Sequence, residues 1–319
     1  MDRVAGSLDQ EDNGSFGSDE PFMLSEHGNE AGLIAGHAAG IPEELLGLDQ
    51  LEVEYEQDGA ILWTFMRSKG RPAFNPAMLR DFVHWQDLIA ANFGPGKVPL
   101  RYLVLGSRSP GVFCYGGDLE LFQRLIREQD RQGLVAYGHR CCDILHRNLN
   151  SLGLPILTVG LVQGAALGGG FEALLSFDYV VAERDATFGL PEILFGLFPG
   201  MGAHSLLSRK IGTAMADRLI VSSKTYSAEE MFELGLVHEL AEPGTGMEAC
   251  RNFIAKTRRR HPGMVNARKA MKLARGVSIE ELKQITELWA DTALQLREHD
   301  LKVMNRLIAA QTKVADRAA

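Results

Sequence analysis

Gly164-Ala165-Ala166-Leu167-Gly168-Gly169-Gly170-Phe171-Glu172 is the stretch on which the fold turns. Three consecutive glycines let a backbone come close to a neighbour, and a helix beginning there leaves amide N–H groups uncovered at its positive end, where an anion or a developing oxyanion is held. Neither the spaced GxGxxG of dinucleotide sites nor the GxxxxGK[ST] of a phosphate-binding loop is present here. The 24 residues Asn148 to Phe171 carry no formal charge, yet they contain six Gly, Pro155, Gln163 and two Asn and run into Glu172. A membrane-spanning helix built so would be badly made, and the segment reads as a buried strand (155–162), a glycine turn (164–170) and a short helix (171–177).

Outward from this unit the pattern alternates strand and helix. Towards the N-terminus, Leu51 to Phe65 reads as a hairpin turning at Asp58-Gly59. Asn75-Pro76 reads as helix cap and first helical residue, and Tyr102 to Leu105 as a short buried strand. A glycine-bearing loop (106–117) leads to one long amphipathic helical region, from Leu119 to Leu145. Towards the C-terminus come a strand (179–182), Thr187-Phe188-Gly189 and a Pro-containing loop. Helices follow at 203–211, 215–221, 228–234, 247–260 and 279–308, the last with an apolar stripe of Leu282, Ile285, Leu288 and Trp289. Strand and helix in alternation predict an α/β fold with crossover connections.

Composition bounds the rest. The 319 residues are 45% hydrophobic and 23% charged, and the net charge is −8. Eleven acids and one base fall in residues 1–50, leaving 32 bases and 30 acids in the remainder. That balance does not suggest a nucleic-acid partner. Residues 1–47 read as an acidic, flexible leader, 48–245 as an α/β core and 246–319 as a helical region. The leader has no apolar run behind a basic start, so a secretory signal is not expected. Four Cys (Cys114, Cys141, Cys142, Cys250) without paired or metal-ligand spacing point to buried thiols in a reducing, cytoplasmic setting, with no metal site and no membrane insertion.

Two further features carry chemistry. Phe113-Cys114-Tyr115-Gly116-Gly117-Asp118 is a second glycine turn opening a helix. Two such turns can bring two amide donors to one carbonyl oxygen, and Asp118 alone reads as a helix cap. Glu172 and Glu192 stand twenty residues apart, the latter after Pro191 among Ile193, Leu194, Phe195, Leu197 and Phe198. If the intervening strand returns the loop, two carboxyls face one pocket, and repulsion with desolvation keeps one protonated near neutral pH.

Phe-x-x-Gly-Gly-Asp, Gly-x-x-x-Gly-Gly-Gly-x-Glu and Phe-Gly-x-Pro-Glu-x-x-x-Gly-x-x-Pro-Gly-x-Gly, in this order and spacing, resemble the crotonase (enoyl-CoA hydratase/isomerase) superfamily. The resemblance implies a ββα superhelix, oxyanion-hole amides on Gly117 and Gly169, and Glu172 and Glu192 as the catalytic pair. Phe113 to Phe122 and Phe198 to Leu207 are similar to the diffusible signal factor synthases of bacterial quorum sensing. Typical hydratases carry Gly-Gly-Thr-Gln-Arg-Leu after the second Pro-Gly, and here Ala203-His204-Ser205 replaces it. That similarity implies an acyl pocket lined by Trp289, with Met201 secondary. It also implies a medium-chain 3-hydroxyacyl substrate on acyl carrier protein, dehydrated and then hydrolysed to a free cis-2-unsaturated fatty acid. No cofactor is implied beyond the thioester's own phosphopantetheine or CoA. The expected partners are acyl carrier protein, a homotrimer or dimer of trimers, and a sensor-kinase regulator. Glu192 is read as base at the α-carbon and Glu172 as acid at the departing hydroxide, the reverse assignment staying open. The alternatives are an enoyl-CoA hydratase or isomerase of fatty acid metabolism and a non-catalytic scaffold or RNA-binding relative. Basic docking faces are read at Arg124, Arg127 and Arg131 and at Arg258-Arg259-Arg260.

Overall fold

The computed structural model describes residues 40–318, with side chains to residue 313, so residues 1–39 of the expected leader lie outside the described residues. Residues 40–47 depart from that expectation of flexibility. Ile41, Leu45 and Leu48 are buried in the main core, around a one-turn helix α1 (Glu43–Leu46). The reason is that these apolar side chains, which the acidic composition of the segment masks, have a core to enter.

The hairpin forms as β1 (Leu51–Glu56) and β2 (Ile61–Met66), paired antiparallel. Helix α2 (Pro76–Asn92) starts where Asn75 Oδ1 accepts from Met78 N at 2.9 Å, with Pro at its first position. From here the chain spirals. A long strand, a short strand and helical crossover follow one another: β3 (Tyr102–Ser107), β4 (Val112–Cys114), α3 (Leu119–Arg127) and α4 (Arg131–Leu149). Then come β5 (Leu157–Val162), β6 (Ala165–Leu167) and α5 (Gly169–Leu174), followed by β7 (Tyr179–Glu183) and β8 (Thr187–Gly189). The long strands join a six-stranded sheet in the order β1-β2-β3-β5-β7-β10, where β10 is Glu239–Ala241. The short ones join a four-stranded sheet ordered β4-β6-β8-β9, β9 being Thr225–Ser227. This is a ββα superhelix. Every residue of β5 is buried, as a parallel strand covered on both faces requires, so its apolar run carries no alternation.

Helices α6 (Ala203–Ile211), α7 (Thr213–Val221), α8 (Ala228–Glu233), α9 (Gly246–Thr257), α10 (His261–Ala274), α11 (Ile279–Ala293) and α12 (Glu298–Ala318) complete the chain. Three expectations are corrected. The helical region 119–145 breaks at Gln129, whose φ of 55° no helix accepts, and Asp130 caps α4 through Gly133 N at 2.8 Å. The span 279–308 breaks after Ala293, and α10 forms where the spacing predicts no helix. Leu288 is 60% exposed. The buried stripe of α11 instead runs Leu282, Thr286, Trp289, Ala293, because at 100° per residue Leu288 lies off that line.

Candidate active site

Register brings the two glycine turns together. Strands β4 and β6 are parallel neighbours (Cys114↔Ala166), so the turns that leave them, 115–117 and 168–170, emerge side by side. At Gly116 (φ +91°) a Cβ would lie 2.6 Å from Gly169 N, so no side chain fits between the two turns. Phe74 N donates to Gly116 O at 2.7 Å and Tyr115 N to Pro72 O at 2.8 Å, which fixes the first turn. Gly168 N donates to Gly189 O at 2.8 Å, which fixes the second. Gly117 N and Gly169 N meet no acceptor among the described residues; the latter is the first residue of α5, where helical geometry supplies none. A Cβ built on Gly169 would come 3.5 Å from Gly117 N, so the two free amides are neighbours, and both residues line one narrow cavity.

Register also delivers the carboxyls. Strand β8 pairs with β6 (Leu167↔Gly189), so the chain leaving β8 through Leu190 and Pro191 passes the start of α5. Glu172 lies in the first turn of α5 and is 2% exposed. Its Oε1 accepts from Met201 N and Ala203 N, both at 2.9 Å. Glu192 opens a 3-10 turn, Glu192–Phe195, rather than a loop. Its Oε1 lies 2.6 Å from where a Gly168 Cβ would stand (φ +52°), and its Oε2 is buried without a partner. Glu172 and Glu192 line the same cavity as Gly117 and Gly169.

Burial raises both carboxyls above the ordinary range. For Glu172 the amides of Ala203, Met201 and Gly202 pull the other way, since they stabilise its charged form. At Glu192 only its own backbone amide pulls down, and the charge of Glu172 pushes it further up. Of the two carboxyls Glu192 is therefore raised further, and it is the one that favours the proton of the pair.

The enoyl-CoA hydratase/isomerase family profile matches residues 57–295. The chain belongs to the enoyl-CoA hydratase/isomerase family. It is 36% identical over 229 residues to a short-chain-enoyl-CoA hydratase of Clostridium acetobutylicum, covering 72% of this chain and 80% of that one. Among solved structures, enoyl-CoA hydratase from Bacillus halodurans superposes with a TM-score of 0.68 at 22% identity, over 81% of this chain and all of the other. DspI of Pseudomonas aeruginosa gives 0.59 at 23% identity, over 71% and 81%.

In this family member the remaining wall of the cavity is apolar. Trp289 and Met201 both line it. Trp289 also packs edge-on to Phe122 at 5.0 Å, so it serves as core and as wall. Met201 additionally borders an apolar chamber lined by Phe82, Trp85, Cys141 and Leu145. Tyr137, Thr286, Leu307 and Gln311 line the site too and had no signal in the sequence, because they come from three helices remote along the chain. Tyr137 is half-buried at the first turn, its hydroxyl donating to Phe74 O at 2.7 Å and accepting from Asp118 N at 3.3 Å. Asp118 is the cap of α3, through Leu121 N at 3.2 Å. The four cysteines are buried free thiols. Among the described residues no His/Cys/Asp/Glu group is placed to hold a metal, and no helix is long and apolar enough to cross a membrane.

Proposed function

We propose that this chain moves the elements of water onto or off C2–C3 of an acyl thioester. The observation that carries the reading is one cavity lined by two unpartnered amides and two carboxyls, Glu172 held by two backbone donors and Glu192 with one oxygen bare. The thioester oxygen sits against Gly117 and Gly169, whose N–H groups strengthen their bonds as enolate charge grows. Each such donor is worth about 3 kcal/mol in a water-poor site. In the hydration direction Glu172, as carboxylate, takes a proton from the water attacking C3, and Glu192 gives its proton to C2. In dehydration the roles reverse: Glu192 takes the C2 proton and Glu172 protonates the departing hydroxide. Exchange with solvent resets the pair.

A finer reading has the reaction run as dehydration of a medium-chain 3-hydroxyacyl carrier protein, followed by hydrolysis to a free cis-2-unsaturated acid. Ala203-His204-Ser205 supports it. His204 packs edge-on to Phe198 at 5.5 Å, and its Nδ1 is buried without a partner beside the loop that holds Glu172. For docking a carrier protein, Arg131 is engaged with Asp291 at 2.6 Å and Arg127 lies 4.0 Å from Glu298, which leaves Arg124 without a carboxylate partner among the described residues. Incubation with trans-2-enoyl-CoA and with 3-hydroxyacyl carrier protein, read by mass spectrometry, tests both levels. Reversible hydration of the first supports the coarser reading alone. Free cis-2-enoic acid from the second supports the finer one, and no conversion of either contradicts both.

A further inference from the structure

A third cavity, of about 660 Å3, shares no lining residue with the active-site cavity. It lies between the end of α6, the length of α10 and the turn after α4, and its volume is that of a small-molecule site. Six cations line it against one carboxylate, Asp178. Two of the six are already neutralised. Arg209 forks onto Glu281 at 2.9 and 2.8 Å, and Lys272 meets Asp178 at 2.7 Å. Asp178 has nothing left to give, since it also accepts from Thr158 N at 3.0 Å and Thr158 Oγ1 at 3.1 Å.

Lys210, Arg268, Lys269 and Arg275 have no carboxylate partner among the described residues. Like charges gathered around a concavity repel through a medium that screens less than open water, and the arrangement is compensated when an anion enters. The half-buried Lys210 shows the effect: burial and the charges of Arg268 and Arg275 push its ammonium down to about 8. Lys210 and Arg268 are half-buried and Lys269 and Arg275 exposed, and they line the cavity together with the apolar Ile156, Leu175, Phe177 and Val265. Two guanidinium forks and two ammonium groups match an anion with many oxygens better than a single carboxylate.

We propose that this cavity binds a polyphosphate-bearing small molecule, its phosphate groups held by Lys210, Arg268, Lys269 and Arg275. The site is separate from the acyl chemistry, and occupancy tests stand whether or not that chemistry is as described. Calorimetric titration of the full chain with tripolyphosphate and with ATP is the experiment, on wild type, on Lys210→Gln/Arg268→Gln, and on Lys256→Gln as a control outside both cavities. Wild type and control should bind alike, the double variant at least about tenfold more weakly, and turnover at the acyl site should stay within about twofold of wild type. Tighter binding of ATP than of tripolyphosphate places a nucleoside on the apolar floor; equal binding assigns recognition to the phosphates alone. Absence of binding to wild type, or equal binding by the double variant, overturns the proposal. Since a substituted cluster can alter folding, acetic anhydride labelling of wild-type Lys210 gives a second readout. Tripolyphosphate should protect it about fivefold or more, and unchanged labelling overturns the proposal as well.

Discussion

Glu192 holds a carboxyl oxygen with no donor in a cavity that already contains Glu172. The folded chain therefore grips its proton more tightly than the unfolded chain, where the carboxyl keeps its ordinary value of 4.5. Stability from this group is complete below that value and is lost as pH rises through the higher folded value. Glu192→Gln carries no charge to bury, so it should melt higher than wild type at pH 8, by about 2–6 °C, and equally at pH 4. Differential scanning calorimetry at the two pH values decides it; a gap that is the same at both contradicts the raised value. At this scale Glu172, Glu192 and the glycines were legible because each sits in a short motif whose spacing has a local reason. Tyr137 and Gln311 were not, because a helical Tyr or Gln carries no mark of what a distant strand will place beside it.

The elements repeat the lesson. Asn75-Pro76 announces α2, and the structure shows why: Asn75 Oδ1 takes Met78 N and also Gln50 Nε2, at 3.1 Å. Asn75→Ala should cost about 1 kcal/mol, read as a lower urea midpoint at unchanged slope; an unchanged midpoint contradicts the capping role. Where the signals failed, the cause was local as well. His261-Pro262-Gly263 punctuates the sequence like a loop, yet Pro is tolerated in a first turn and α10 begins there. Strands β4 and β10 are three residues each and too short to show a period, although β4 is what sets one glycine turn beside the other. Gln129, which breaks the helical region after α3, sits between two polar neighbours and gives no breaker signal of the Gly or Pro kind.

For the molecule as a whole, the spiral of paired strands is what converts residues 55 positions apart in the chain, Gly117 and Glu172, into one site. Helix α12 closes it. Leu301 and Met304 are buried, Leu307 and Gln311 line the cavity, and Gln311 is tied to Arg71 Nη1 at 3.0 Å. Ending the chain at Arg297 removes that wall without touching a carboxyl or an amide. Activity on long acyl thioesters should fall about tenfold or more, with a smaller loss on short ones; equal losses on both would show that α12 does not border the acyl group.

The central claim is that two amides hold the thioester oxygen while Glu192 works on the neighbouring carbon. Deuterium uptake at C2 of a 3-hydroxyacyl thioester in D2O, followed by proton NMR, tests it most directly. Wild type should catalyse the exchange and Glu192→Gln should lose about 10²–10⁴-fold of that rate. Exchange at the wild-type rate in Glu192→Gln would contradict the account.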